Sequence, residues 1–210
     1  MKALAPFALI FALIGSAAGA VTLSNTPTGG SVAPFGTPDT QTYGQVFVAP
    51  VTGTLDDFTL YLDGGVGDLV GAIGTWNGTA THGFGFGSDT TLYTSAVTGS
   101  VSGGNTFATG GISVTAGSIY VAFLTVFGLG NPDATTTMPL GSALTGGGYF
   151  VWNNTSDPFG NTSWNYFFDI GSAQFEANFT PTAAVPVPAA LPLMLLALGG
   201  LGVAARRRRT

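Results

Sequence analysis

Between residues 58 and 62 the chain alternates, with Phe58, Leu60 and Leu62 in one phase and Thr59 and Tyr61 in the other. Successive side chains on a strand point to opposite faces, so a two-residue period predicts a half-buried β-strand. The alternation at 43–48 predicts another, and Phe175, Ala177 and Phe179 set against Gln174, Glu176 and Asn178 predict a closing strand. Segments 69–76, 91–97, 111–114, 118–126 and 149–152 are rich in β-branched and aromatic residues and are bounded by Gly, Asn, Asp or Pro, which predicts further strands. About eight short strands with Gly-rich turns predict an all-β body, a jelly-roll-like two-sheet β-sandwich. Segments 25–38, 79–89, 128–148 and 153–161 are dense in Gly, Thr, Asn and Pro and read as loops. No sustained 3.6-residue apolar stripe free of Gly runs through the body, and no repeat recurs at a fixed period.

The two ends carry different patterns. Lys2, the apolar run 3–14 and the small residues Ala18 and Ala20 around Gly19 form the three parts of a secretory signal peptide, with cleavage expected after Ala20. Near the other end, prolines at 181, 186 and 188 impose an extended linker. The apolar run 191–205 then predicts a transmembrane helix of ~25 Å, slightly short of a bilayer core. Arg206, Arg207, Arg208 and Arg209 close it in a stop-transfer pattern, which places the preceding body outside the cytoplasm. The expected organisation is a signal peptide at 1–20, a β-sandwich at 21–180, a Pro-rich linker and sorting motif at 181–190, a transmembrane helix at 191–205 and a basic cytoplasmic tail at 206–210.

Charge sharpens this division. The five basic residues are Lys2 and the four terminal arginines, so 21–205 holds all ten carboxylates and has a formal charge of 0 − 10 = −10, against −5 for the whole chain. A surface of one sign repels phosphate backbones, which argues against nucleic-acid partners. The carboxylates have no Lys or Arg in the body to pair with and must be solvated, hydrogen-bonded or neutralised by cations such as calcium. Divalent cations are therefore expected to stabilise the body. With no cysteine, an exported domain must also be stable without disulfides.

Candidate chemistry in the body is sparse. His82, the single histidine, stands in a Gly-rich loop, where a rigidly oriented catalytic base is not expected. Glu176, the single glutamate, reads as an outward strand residue, and the adjacent Asp56 and Asp57 are expected on opposite faces of their strand. Neither arrangement supplies the facing carboxylates of a glycoside hydrolase. Asp63 and Asp68 frame a Gly-rich turn that offers a candidate calcium site, with an ordinary solvated hairpin turn as the alternative. Tyr149, Trp152 and Trp164, with Trp76 and Tyr166, stand near Asn153, Asn154, Asn161 and Asn165 and form a candidate glycan-binding platform. Aromatic faces stack on sugar rings and amides bond hydroxyls, although the same residues also suit a packed core.

The tail has a further property. Val185, Pro186, Val187, Pro188 and Ala189, followed by an apolar helix and a terminal arginine cluster, resemble the PEP-CTERM class of C-terminal sorting domains, nearest its VPLPA variant, with Val187 where the variant has Leu. The resemblance implies export and processing near the Pro-rich motif by an exosortase, a membrane-embedded transpeptidase-like enzyme of bacteria that make exopolysaccharide. Residues 44–50 leading into 55–62 are similar to the jelly-roll modules of such exported proteins. The expectation is a non-enzymatic surface or extracellular-matrix protein, held transiently in the membrane and associated with extracellular polysaccharide. A carbohydrate-binding module is the alternative, and a secreted hydrolase the more remote one.

Overall fold

The computed structural model describes residues 19–80, 88–154, 156–159, 164–166 and 170–182. The signal segment before Gly19, His82, Asn161 and the whole sorting tail, including Val185–Ala189 and Arg206–Arg209, lie outside the described residues. Among those described there are fourteen strands and no α-helix, so the body is all-β. No described helix is long and apolar enough to cross a membrane.

In chain order the strands are β1 (Val21–Ser24), β2 (Pro27–Thr37), β3 (Thr42–Val48), β4 (Gly53–Leu62), β5 (Asp68–Trp76), β6 (Ser88–Thr94) and β7 (Thr98–Gly99). Then follow β8 (Gly103–Val114), β9 (Ile119–Thr125), β10 (Ala134–Gly141), β11 (Phe150–Asn153), β12 (Asn165–Tyr166), β13 (Ser172–Ala173) and β14 (Phe175–Pro181). They form three sheets in a sandwich-like arrangement: a four-stranded one in the order β1-β14-β4-β8, a three-stranded one in the order β13-β10-β2, and a seven-stranded one in the order β12-β11-β3-β9-β5-β6 with β7 beside β5. Every strand pair between these elements is antiparallel.

The three-stranded sheet corrects the loop expectation for 25–38 and 128–148, because β2 and β10 pair there. Prolines and glycines read as chain punctuation, yet β2 lies at the sheet edge, where a missing donor is tolerated, and Pro139 of β10 sits at a break in register. Asn25 fastens this sheet to the four-stranded one. Its amide nitrogen donates to the carbonyls of Ser142 (3.0 Å) and Ala173 (2.7 Å), and its amide oxygen accepts from the backbone N–H of Phe175 (2.9 Å). A side chain at Gly141 would occupy the place of that amide, so the close approach requires glycine here.

The main core lies where the inner faces meet. Leu55, Phe58, Leu60 and Leu62 of β4, Phe175, Ala177 and Phe179 of β14, Val32 and Phe35 of β2, and Phe47, Ile73, Ala122 and Leu124 of the large sheet are all buried in it. Phe107 of β8 presses onto β5 so closely that a methyl group at Gly71 would meet its ring carbons at 2.6–2.7 Å. Buried Gln45 spans two sheets from β3, its amide oxygen accepting from the backbone N–H of Ala173 at 2.7 Å and its nitrogen donating to the carbonyl of Val46 at 2.8 Å.

The half-buried expectation holds for β4, whose outer side chains at Thr54, Asp56, Asp57 and Tyr61 are partly exposed. It fails for β3. Tyr43 and Phe47 enter the main core from one face, while Val46 enters a second apolar cluster on the other. Gly44 and Thr42 resemble the outward positions of a half-buried strand only because their side chains are small or polar.

Candidate functional site

Four of the aromatic residues expected to form a glycan platform, Trp76, Tyr149, Trp164 and Tyr166, converge on the outer face of the seven-stranded sheet. Val46, Ala72, Val121, Phe123 and Val151 supply the sheet surface, and Trp76, Tyr149, Trp164 and Tyr166 cover it. Trp76 meets Trp164 edge to face at 6.2 Å and Tyr149 at 6.1 Å, while Phe123 meets Trp164 at 5.2 Å. Such T-shaped pairs set the positive edge of one ring against the negative face of another. The indole N–H of Trp76 donates to the Tyr149 hydroxyl at 3.0 Å. Burial pushes the Tyr149 phenol up to about 12; the bond from Trp76 opposes this, and nearby Tyr166 reinforces it.

Tyr149 and Trp164 therefore present no open ring face to a sugar: Trp164 is 1% exposed and Tyr149 5%. They work as the covering layer that makes the large sheet doubly buried. Trp152 differs. It is half-buried and lies parallel to Phe150, with an interplanar angle of 14°.

Asn153 ends β11 opposite Thr42, next to the buried pair formed by the hydroxyls of Thr42 and Thr125 at 2.8 Å. Its amide oxygen accepts from the backbone N–H of Ser156, which fixes the orientation of the amide. The amide nitrogen then points inward without a hydrogen-bond partner among the described residues, in a side chain only 4% exposed. A buried donor left unmet costs about 1–3 kcal/mol, so this is the one place among the described residues of the candidate platform where an oxygen acceptor would bring a direct gain.

Asp63 and Asp68 enclose the expected turn, but an amide closes it. Asn131 donates from its side-chain nitrogen to the carbonyls of Val66 (3.1 Å) and Asp68 (2.6 Å) and accepts from the backbone N–H of Asp68 (3.2 Å). The Asp63 carboxylate accepts from the Thr137 hydroxyl. The carbonyls of Val66 and Asp68 are thus already engaged. Among the described residues no group of three or more His, Cys, Asp or Glu is placed to hold a metal ion.

Asp56 and Asp57 require a correction, since both lie on the outer face of the four-stranded sheet. A β-bulge sets the single Asp56 opposite Thr109, Gly110 and Gly111, and β14 passes from Asn178 to Phe179 while β4 passes from Asp57 to Leu55. The extra residue shifts the alternation by one position, so that Leu55 and Phe58 both point inward and the two aspartates between them both point outward. Asp56 accepts from the hydroxyls of Thr54 (2.8 Å) and Thr180 (2.7 Å), and Asp57 from the Asn178 amide (2.8 Å). The signal was present in the sequence as the break between Leu55 and Phe58, where strict alternation requires an odd spacing to change phase.

Glu176 shares this outer face, opposite Ser24 on one side and Thr59 on the other. Partial burial raises the phenol pKa of neighbouring Tyr61, and the negative charge of Glu176 adds to the effect. The face as a whole is a hydrogen-bonded array of hydroxyls, amides and carboxylates. Sequence reasoning missed Asn25, Gln45 and Asn131, whose importance comes from tertiary neighbours far away in the chain. Only Gln45 gave a local hint, as a long polar side chain inside an apolar run.

No family model matches the chain, and no curated protein or solved structure matches it either.

Proposed function

We propose that this chain is an exported, non-enzymatic surface or extracellular-matrix protein, delivered by its N-terminal signal and sorted by its C-terminal tail. An exosortase-type enzyme is its processing partner, and extracellular polysaccharide is its surroundings. Its three sheets are read as a jelly-roll-like sandwich in which the four- and three-stranded sheets, stitched by Asn25, act as one layer against the seven-stranded one.

The observation that supports this best is the pairing of β1 with β14. Val21 stands opposite Phe179 and the strands are antiparallel, so Ala20 and Thr182 leave the body side by side at one end of a sheet. Both terminal segments can therefore reach one membrane from the same end of the body, and removal of either leaves the strands intact. The confinement of basic charge to the two terminal segments points the same way, because their removal leaves a product of one sign.

Immunoblotting of membrane and surface fractions tests the reading with antibodies to the body and to a tag after Thr210. The expected outcome is surface-located body that has lost the tag, with an uncleaved membrane form accumulating when Pro186 and Pro188 are replaced by Ala. A tag retained on all the mature protein overturns sorting by cleavage.

A second reading, a carbohydrate-binding module, draws on the unmet donor of Asn153 and on half-buried Trp152, which precedes it on β11. Its test is binding to a polysaccharide panel, with loss expected in Trp152→Ala and Asn153→Leu variants that melt as the parent does. Absence of binding to any member removes it.

A further inference from the structure

β5 ends at Trp76, paired with Ser88 of β6, and the next two residues are Asn77 and Gly78, the one Asn-Gly step in the sequence. Asn77 is exposed and Gly78 half-buried, and neither belongs to a strand. The side-chain amide carbon of an asparagine is an electrophile within reach of the next residue's backbone nitrogen, and attack closes a five-membered ring. Glycine, with no Cβ, leaves that nitrogen the least crowded and the backbone the freest to turn into the ring. Every other asparagine is followed by Thr, Asn, Tyr or Phe, whose side chains crowd the attack, or, at Asn131, by Pro132, which has no N–H to give up.

The step balances without oxidation or reduction. The Gly78 nitrogen bonds to Cγ of Asn77, its proton passes to the side-chain nitrogen, and ammonia leaves a succinimide behind. Water then opens the ring at either carbonyl. Attack at Cγ gives aspartate; attack at the backbone carbonyl gives isoaspartate, whose main chain runs through Cβ and Cγ. Either product adds one negative charge, taking the body from −10 to −10 − 1 = −11, with no basic side chain in it to compensate.

The surroundings give the two products different consequences, because segment 77–80 is held at both ends. At one end the Trp76 indole donates to the Tyr149 hydroxyl at 3.0 Å and meets Trp164 edge to face. At the other, the Ala80 carbonyl oxygen lies so close to Gly147 that a methyl group there would meet it at 2.8 Å. Tyr149 stands two residues beyond Gly147, so both anchors lead to the same corner of the aromatic layer. Aspartate keeps the length of main chain between the anchors, whereas isoaspartate lengthens it by a methylene. We propose that Asn77 is a self-modifying site of the folded protein, converted through Gly78 to aspartate and isoaspartate, and that the isoaspartate form loosens the Trp76–Tyr149 corner. Each copy thereby records its age as added charge. Export and sorting do not enter into it, and its failure leaves them untouched.

Ageing of the full-length chain in neutral detergent at mildly alkaline pH, folded and in urea, tests this. Isoelectric focusing reads the new charge, mass spectrometry of chymotryptic peptides locates it, and an isoaspartate-specific methyltransferase labels the lengthened product. The folded parent is expected to gain an acidic band, with Asn77 converting before any other asparagine. That early band should be lost in Gly78→Ala, where a Cβ crowds the nitrogen, and in Asn77→Gln, whose longer side chain closes a larger ring. If Gly78→Ala melts below the parent, Asn77→Gln decides. The isoaspartate fraction, separated by ion exchange, should melt below both the parent and Asn77→Asp, which carries the charge without the added length. Conversion confined to the urea sample, conversion elsewhere first, or a band that persists in Asn77→Gln overturns the site. An isoaspartate fraction that melts with Asn77→Asp overturns the loosening.

Discussion

The outer faces of the seven-stranded and four-stranded sheets come from strands of similar length, yet one is sealed by aromatic rings and the other is open to water. On the large sheet, Trp76, Tyr149, Trp164 and Tyr166 convert the second face into core. On the smaller one, Thr22 donates to Asn178 and Asn178 donates to Asp57, a polar line that crosses three strands. A tryptophan-rich surface is therefore not automatically a ligand surface. What decides is whether the rings have one another as neighbours, and here they do.

Truncation separates the two faces most sharply. Trp164→Ala should cost about 3–5 kcal/mol of stability, as for other buried aromatics, whereas Thr106→Ala on the open face, which removes a hydroxyl bond to Thr59, should cost about 1 kcal/mol. Urea denaturation of both variants measures the difference. Equal midpoints would mean that the aromatic layer is not packed against its sheet.

A gentler probe is alkaline titration. Tyr149 keeps its proton to about 12 in the fold, against about 10 when unfolded, and Tyr43 is raised to about 12 in the same way, mainly by burial. Below pH 10 both states hold these protons and the full stability is present; as pH climbs from about 10 through about 12 the unfolded state loses them first, so stability falls. Phenolate absorbance of buried Tyr149 should therefore rise together with unfolding. On the open face, Glu176→Gln should lower the Tyr61 pKa, since the raising charge is gone, and should leave Tyr149 unmoved.

The smallest expected effect is that of calcium on the Asp63–Asp68 turn. Because Asn131 already holds the carbonyls of Val66 and Asp68, melting with calcium and with chelator should give the same midpoint. A calcium-dependent rise that disappears in Asp63→Asn would establish a cation site instead.

The legibility of the fold follows the same contrast. Strands β4 and β14 were readable because water on one face enforces alternation, and their inner Phe and Leu positions match the core. Strands β2 and β10 were hidden because a sheet rich in Pro and Gly is held by partners more than a hundred residues distant in sequence, such as Asn25 with Ala173. The glycan candidates were legible as a cluster but not as a buried one, since the rings that cover one another arrive from β5, β12 and the segments around β11. The paired exposure of Asp56 and Asp57 needed only the spacing from Leu55 to Phe58.

The place of β14 between β1 and β4 sets the order in which the molecule is completed. The last described strand is an inner strand of its sheet, so the four-stranded layer stays split until synthesis has passed it, and β1 has no partner until Phe175–Pro181 is made. Contacts between the two ends of a chain are the slowest to form. The four-stranded layer thus closes only when nearly all of the described chain has been made.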